Sequence, residues 1–234
     1  MRLYRESVHH VSLASKIVSS GYTRTQLEFL SRLKSQTRAE HDRIEAVLGL
    51  MDGTVDRLKY RDRLLCFRAF YAPLEATLDA ANDWGVWGID LAPRRKTHLI
   101  DRDLRDLGVD DPGSLSWCSA DALPALDSPA GRFGCLYVLE GATLGGQVIL
   151  RHLERALGLD ACHGARFFNG YGEHTGAMWK SFRSALASFA VSPSRQDEVV
   201  ASAVDTFIKM REACVAAGKK EPDRAIDARI AGAV

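Results

Sequence analysis

The sequence predicts an all-α fold formed as a single domain, and three observations carry that expectation. Apolar residues recur at spacings of three and four along most of the chain, the period of a helix with one buried face. No segment sustains the apolar–polar alternation of a half-buried strand, and no βα repetition occurs, so a sheet-based architecture has no support. The 234 residues, 46% apolar and 26% charged, suit one soluble core and exclude a disordered or fibrous chain.

The elements follow in order. Residues 1–24 read as an N-terminal extension in which Val8, Val11, Leu13, Ile17 and Val18 give a short apolar face before Ser19-Ser20-Gly21. His9, His10 and Lys16 interrupt that face, so it lacks a signal-peptide core. No run anywhere approaches the roughly 20 apolar residues of a membrane span. The first long helix is expected from Thr25, which has capping-box spacing to Glu28, through Leu27, Leu30, Lys34, Thr37, His41, Ile44 and Leu48. Asp52-Gly53 then turns the chain. A second helix is expected over 54–80, with Leu64, Phe67, Phe70, Tyr71, Leu74 and Leu78 on one face. Pro73 inside it is expected to kink or divide it.

Pro93 is placed to open a helix reaching Leu107, 110–114 is a loop, and 119–123 a short helix. Asp127-Ser128-Pro129 starts a long, glycine-interrupted helical pattern that runs to Leu157. Residues 166–172 read as loop, 173–189 as helix and 193–217 as the last major helix. The helical domain thus spans 25–217, and 218–234 form a polar C-terminal tail.

Charge and cysteine usage narrow the function classes. Lys and Arg total 31 against 30 Asp and Glu, a net charge of +1, so no global field draws the protein onto nucleic acid. Cys66, Cys118, Cys135, Cys162 and Cys214 are odd in number and contain no CxxC pair. Reduced thiols in a cytoplasmic protein are the expectation, rather than a disulfide framework or a zinc site.

Three features carry chemistry. His41 sits at the edge of an apolar helix face, where one ring nitrogen could ligate a metal or a haem iron. Glu45, one turn on, could fix the other nitrogen. A partly buried histidine bonded to its surroundings fits the same spacing. Lys34 lies seven residues earlier, about 10 Å along the helix, and is a candidate for a peripheral acid or simply a solvated lysine. Gly141-Ala142-Thr143-Leu144-Gly145-Gly146 interrupts an apolar helical pattern, and each helical glycine costs about 1 kcal/mol relative to alanine. Either a neighbouring helix or a planar ligand could use the space. It is no phosphate loop, because Gln147 and Val148 follow where Lys and Ser or Thr are required. Finally, Phe167 to Gly172, with Met178, Trp179, Lys180 and Arg183, sets apolar surface beside cations, which suits an amphiphilic organic anion, while core aromatics with cations that simply face water fit the same pattern. No Ser/His/Asp grouping and no HExxH pattern is present.

Taken in order, these segments resemble the haem oxygenases. Leu33 to His41, with Glu45 after it, is similar to the proximal helix of that family. Tyr137-Val138-Leu139-Glu140-Gly141-Ala142-Thr143-Leu144-Gly145-Gly146-Gln147-Val148-Ile149 is similar to its bacterial distal helix. Phe167 to Trp179, then Thr206-Phe207, continue the pattern, and the likeness covers roughly 25–215. It looks most like the bacterial biliverdin-producing enzymes, including those associated with bacteriophytochromes.

The resemblance implies a haem held between a proximal helix and a glycine-bent distal helix. His41 matches the axial iron ligand; Gly141, Gly145 and Gly146 match the distal residues that leave room for oxygen. Lys34 and Lys180 match propionate partners, Arg183 is a further propionate candidate, and Phe207 matches an aromatic lining position. The implied reaction uses haem as cofactor and substrate, with O2 and an external electron donor, and yields biliverdin, carbon monoxide and ferrous iron. The implied partners are an electron-donating redox protein or reductase and a bilin-accepting photoreceptor, with no nucleic acid and no membrane. One departure stands out: many family members carry an acid directly after the first distal glycine, and this chain has Ala142. A non-catalytic haem-binding or haem-transfer protein on the same fold is the alternative.

Overall fold

The computed structural model describes residues 21–81, 83–114 and 123–219. Most of the expected N-terminal extension, most of the short helix expected at 119–123, Cys118, and the tail from 220 lie outside the described residues. Among the described residues every named element is helical, in agreement with the expected class.

Helix α1 (Arg24–Leu48) begins one turn-residue earlier than its sequence signal. Thr23, not Thr25, is the cap: its hydroxyl accepts from the Gln26 N–H while the Gln26 side chain accepts from the Thr23 N–H. Glu28 is instead engaged by Arg24 at 2.8 Å. Gly49 ends the helix at a positive φ of 56°, a left-handed conformation glycine adopts without a Cβ clash. Helix α2 (Arg57–Ala80) is capped by Asp56, which accepts from the Lys59 N–H at 2.7 Å. Pro73 neither divides nor ends it. Buried Phe70, Tyr71 and Leu74 surround the proline in sequence and hold the helix through it, offsetting the lost backbone hydrogen bond.

Pro93 opens only a 3-10 turn, Ala92–Arg94, and helix α3 is shorter than expected (Thr97–Asp106). Its start is set by a distant group: the Glu75 carboxylate of α2 accepts from the Lys96 and Thr97 N–H groups. Helix α4 (Pro129–Leu157) starts as expected, with Ser128 as N-cap accepting from the Gly131 N–H and Pro129 in the first turn. It runs unbroken through all its glycines. The stretch expected as a loop contains a short helix, α5 (Arg166–Asn169). Asp103 of α3, fully buried, accepts from the Arg166 and Phe167 N–H groups and so satisfies its orphan donors. Helix α6 (Thr175–Phe189) follows a 3-10 turn at Gly172–His174, and α7 (Pro193–Lys219) closes the described chain.

Helix α7 is the axle. It packs against α4, α1 and α2, while α1 and α4 make little direct contact with one another. The close α4–α7 approach depends on Gly134, where a Cβ would lie 2.6 Å from the Val199 carbonyl oxygen and 2.7 Å from Ser202 Cβ. The Ser202 hydroxyl donates to the Gly131 carbonyl at 2.7 Å on the same seam.

Two expectations are corrected here. Cys66 of α2 and Cys214 of α7, both buried, are joined in a disulfide across 148 residues of sequence. Spacing could not show this, because the pairing is made by packing of the second and last long helices. Cys135 and Cys162 are unbonded. By length and composition α4 is also long and apolar enough to cross a bilayer, with a mean hydropathy of 1.4 in its most apolar window. Half of that window is buried inside the fold, and the helix carries the buried Glu140, so its apolarity is spent on the core.

Candidate functional site

Contact order along the helices fixes how α1 and α4 face each other. On α1, Arg32 meets Asp197 of α7 and His41 meets Phe207. On α4, Ser128 meets Glu198 and Ser202 meets Gly131. Residue numbers rise together in both pairings, so α1 and α4 each run parallel to α7 and therefore to each other. Tyr137 of α4 lies beside Thr37 of α1, whose hydroxyl partly offsets the rise that burial gives the Tyr137 phenol. His41 and Gly141 each lie four residues, about 6 Å of helix rise, beyond Thr37 and Tyr137 on their own helices.

The α1 wall presents an imidazole. The His41 side chain is 46% exposed although the helix beneath it is packed. The Phe207 ring meets it edge-on at 5.8 Å between centroids. Its Nδ1 lies 3.7 Å from Glu45 Oε2 and 3.8 Å from Asp42 Oδ1, while Asp42 is already held by Arg38 at 2.7 Å. Glu45 is thus the carboxylate free to orient the ring. Lys34 is exposed, three residues before Thr37.

The α4 wall presents bare apolar surface. A Cβ built on Gly145 meets nothing within 4 Å, and Leu144 and Val148 on the same face are 47% and 50% exposed. Gly141 is backed by Trp179 of α6, 3.8 Å from its would-be Cβ, and Trp179 also packs on Tyr137. Gly146 belongs to a different contact: it is buried, and a Cβ there would collide with the Phe168 carbonyl oxygen of α5. Its smallness serves the α4–α5 seam rather than the open face. Arg183 lies near Tyr137, whose ionisation its charge favours, although burial outweighs this and raises the phenol overall. The guanidinium sits over the Tyr22 ring at 5.6 Å. Lys180, three residues earlier, is exposed.

A buried charge cluster lies behind α4, and sequence reasoning missed it. Glu140 forms a salt bridge with Arg94, accepts from the Tyr171 hydroxyl and lies 4.0 Å from Lys96 Nζ. Lys96 also stands 3.8 Å from the Tyr171 ring centroid and donates to the Arg94 carbonyl at 2.7 Å. Burial pushes the Lys96 ammonium down to about 8, against the opposing pull of Glu140 and Glu75. Burial beside Glu140 pushes the Tyr171 phenol up. Pro93 signals only a helix start, and nothing in the local spacing announces that Arg94 has a partner 46 residues away. The Thr143 hydroxyl donates to the Glu140 carbonyl at 2.7 Å, so it is committed to the helix rather than to the open face.

Of the sequence-predicted residues, the structure brings His41 and Phe207 together, sets Arg183 near Tyr137, leaves Gly145 open with Gly141 backed by Trp179, leaves Lys34 and Lys180 exposed, and buries Gly146 against α5. A half-exposed imidazole, an open run of glycine and aliphatic groups, and cations on α1 and α6 are the group types that suit a flat amphiphilic dianion with a central metal.

Comparison with known proteins agrees. Residues 27–214 match the sequence family described as "Heme oxygenase". A protein of that description from Xanthomonas campestris pv. campestris (strain 8004) is 31% identical over 171 residues, covering 72% of this chain and 95% of its own length. The NO- and CO-bound heme oxygenase from Neisseria meningitidis superposes with a TM-score of 0.69 at 22% identity, covering 83% of this chain and 96% of that one. The haem complex of heme oxygenase-1 from the cyanobacterium Synechocystis sp. PCC6803 gives 0.67 at 17% identity, with 87% and 96% covered. These structural likenesses speak for the fold.

Proposed function

The chain belongs to the haem oxygenase family, and on that premise we propose that it opens the haem ring to biliverdin, releasing carbon monoxide and ferrous iron with O2 and external electrons. The observation that carries this reading is the half-exposed His41 imidazole beside Glu45 on α1, together with the side-chain-free Gly141–Gly145 stretch of α4, and it is between these two helices that we place the haem cleft. When bound, haem supplies both the iron that reduces oxygen and the macrocycle that is cut.

The protein's own residues place that chemistry. Glu45, whose Oε2 lies 3.7 Å from Nδ1, would orient the His41 ring and leave Nε2 to hold the iron. Gly141 and Gly145 keep the distal wall free of side chains, and Leu144 and Val148 exclude water from it. Lys34, Lys180 and Arg183 would hold the propionates, and Phe207, packed edge-on against the imidazole, would line the same side as His41. The Glu140–Arg94–Tyr171 cluster fixes the rotation of α4 about its axis, and so decides which groups face the cleft. With Ala142 in the acid's place and Thr143 committed, backbone carbonyls of α4 are the groups left to hold water at the distal wall.

The reaction consumes electrons, so the protein works with a redox protein or reductase. A cytoplasmic location is part of this proposal. Delivery of the bilin to a photoreceptor is a further part of this proposal. One observation favours a second reading, a non-catalytic haem carrier: Ala142 removes the acid that many relatives place there. Reductive turnover separates the two. The haem complex is given O2 and an electron donor with catalase present. Loss of the porphyrin band with a bilin product supports the enzyme, and a stable complex under several donors supports the carrier.

A further inference from the structure

The Cys66–Cys214 bond has no part in the site, yet it is tied to it through one stripe of α7. Phe207, Arg211 and Cys214 are spaced four and three residues apart, so they share a face of that helix. Phe207 meets the His41 ring. Arg211 Nε lies 3.6 Å from Glu40 Oε2, the residue before His41, and both atoms are buried without another partner. Cys214 is bonded to Cys66 of α2. The same stripe thus touches the proximal helix twice and is then fastened covalently to the neighbouring helix.

We propose that Cys66–Cys214 is a redox-operated clamp on the proximal wall. In the bonded form the last turns of α7 are fixed to α2, and Phe207 and Arg211 are held against α1. In the dithiol form the end of α7, five residues beyond Cys214, opens locally and the His41 surroundings loosen with it. The bond forms when the two thiols lose two electrons and two protons to peroxide, giving two waters. It is cleaved by a dithiol reductant, which is itself oxidised to a disulfide as both cysteines take up protons. Both sulfurs are buried, at 1% and 0% residue exposure, so exchange proceeds through opening of the α7 end. Cys135 is no competitor: it is buried, and its thiol is pushed up to about 12, leaving it protonated.

The functional consequence rests on the haem-binding reading, so the test has a readout that does not. The full-length protein is prepared peroxide-oxidised and dithiol-reduced. Each form is digested without reduction, mapped for amide exchange, and loaded with haem to follow its transfer to excess apomyoglobin. The expected results are a linked Cys66–Cys214 peptide in the oxidised form only, lower amide protection over 205–216 and 37–45 after reduction, and haem release faster by about tenfold, within the usual 5–150-fold range of coupling. The double variant Cys66→Ala, Cys214→Ala is expected to behave as the reduced form and to ignore peroxide. Absence of the linked peptide overturns the proposal. Equal protection and equal haem release in the two forms overturns it as well, leaving a structural staple. A response of the double variant to peroxide assigns the effect to other cysteines and overturns it too. If haem fails to bind but the protection of 205–216 and 37–45 still follows the bond, the haem reading has failed and the clamp stands.

Discussion

Gly145 and Gly146 are adjacent in sequence, and the structure assigns them opposite fates on substitution. Gly145→Ala puts a methyl into open space, with no atom within 4 Å. It removes a mid-helix glycine, so the apo protein is expected to gain about 1 kcal/mol. Gly146→Ala gains the same propensity but drives a methyl into the Phe168 carbonyl oxygen, with its carbon at 3.2 Å and Cα at 3.5 Å. Those are backbone atoms of α5, whose N–H groups are pinned by buried Asp103, so they yield only if the seam shifts. Overpacking of this kind costs roughly 1–3 kcal/mol, and rigid backbone belongs at the upper end. The net expectation is a loss of about 1–2 kcal/mol for Gly146→Ala, and a gap of about 2–3 kcal/mol between the variants. For a domain of this size that is roughly 5–10 °C in Tm. Urea and thermal unfolding of the two apo variants measure it. The functional order is reversed: Gly145→Ala, the stable variant, narrows the cleft and is expected to weaken haem binding. Equal stabilities, or a Gly145→Ala protein less stable than Gly146→Ala, would refute the placement of the open face.

Three other perturbations test the neighbouring claims. Glu140→Leu leaves Arg94 and Lys96 buried without their carboxylate, and unfolding measurements should show a loss of about 3–5 kcal/mol; a loss under 1 kcal/mol would contradict the cluster. Burial holds Lys96 near 8 against 10.5 when unfolded, so between those values the unfolded chain binds more protons and stability rises with pH. The slope is on the order of 1 kcal/mol per pH unit between pH 8 and 10. Buried Cys135 and the buried tyrosines pull the other way above pH 9, so the test is the difference: wild-type stability minus that of Lys96→Met should rise with pH across the window, and a difference that stays flat or falls would refute the assignment. Lys34→Ala and Arg183→Ala should each weaken haem binding by about 2–5-fold, since partly solvated ion pairs contribute about 0.2–1 kcal/mol; tighter binding in either would remove that residue from the propionate edge.

Much of the fold was legible because it is local. Ser128-Pro129 and Pro193 mark helix starts, and the three-four periodicity around His41 marks the proximal helix. What stayed hidden depends on partners far apart in the chain. Glu75 caps α3 from 21 residues away, Asp103 of α3 organises α5, and Cys66 meets Cys214 only because α7 returns across α2. Pro73 signals a break that buried neighbours override. In the site, residue type and spacing singled out His41, Lys34 and the glycine-rich run. They could not tell Gly145 from Gly146, because that distinction is made by α5, nor see that Arg94 and Lys96 turn inward to Glu140.

The central claim is that His41 holds haem iron opposite the bare face of α4. The most direct measurement is an anaerobic haem titration of the wild type and His41→Ala, read by the Soret band and by electron paramagnetic resonance of the ferric complex, with imidazole added last. The account predicts saturable one-to-one binding with a histidine-type spectrum in the wild type, loss of that ligation in His41→Ala, and its recovery with imidazole. An unchanged ligand field in His41→Ala would contradict it and move the iron away from α1.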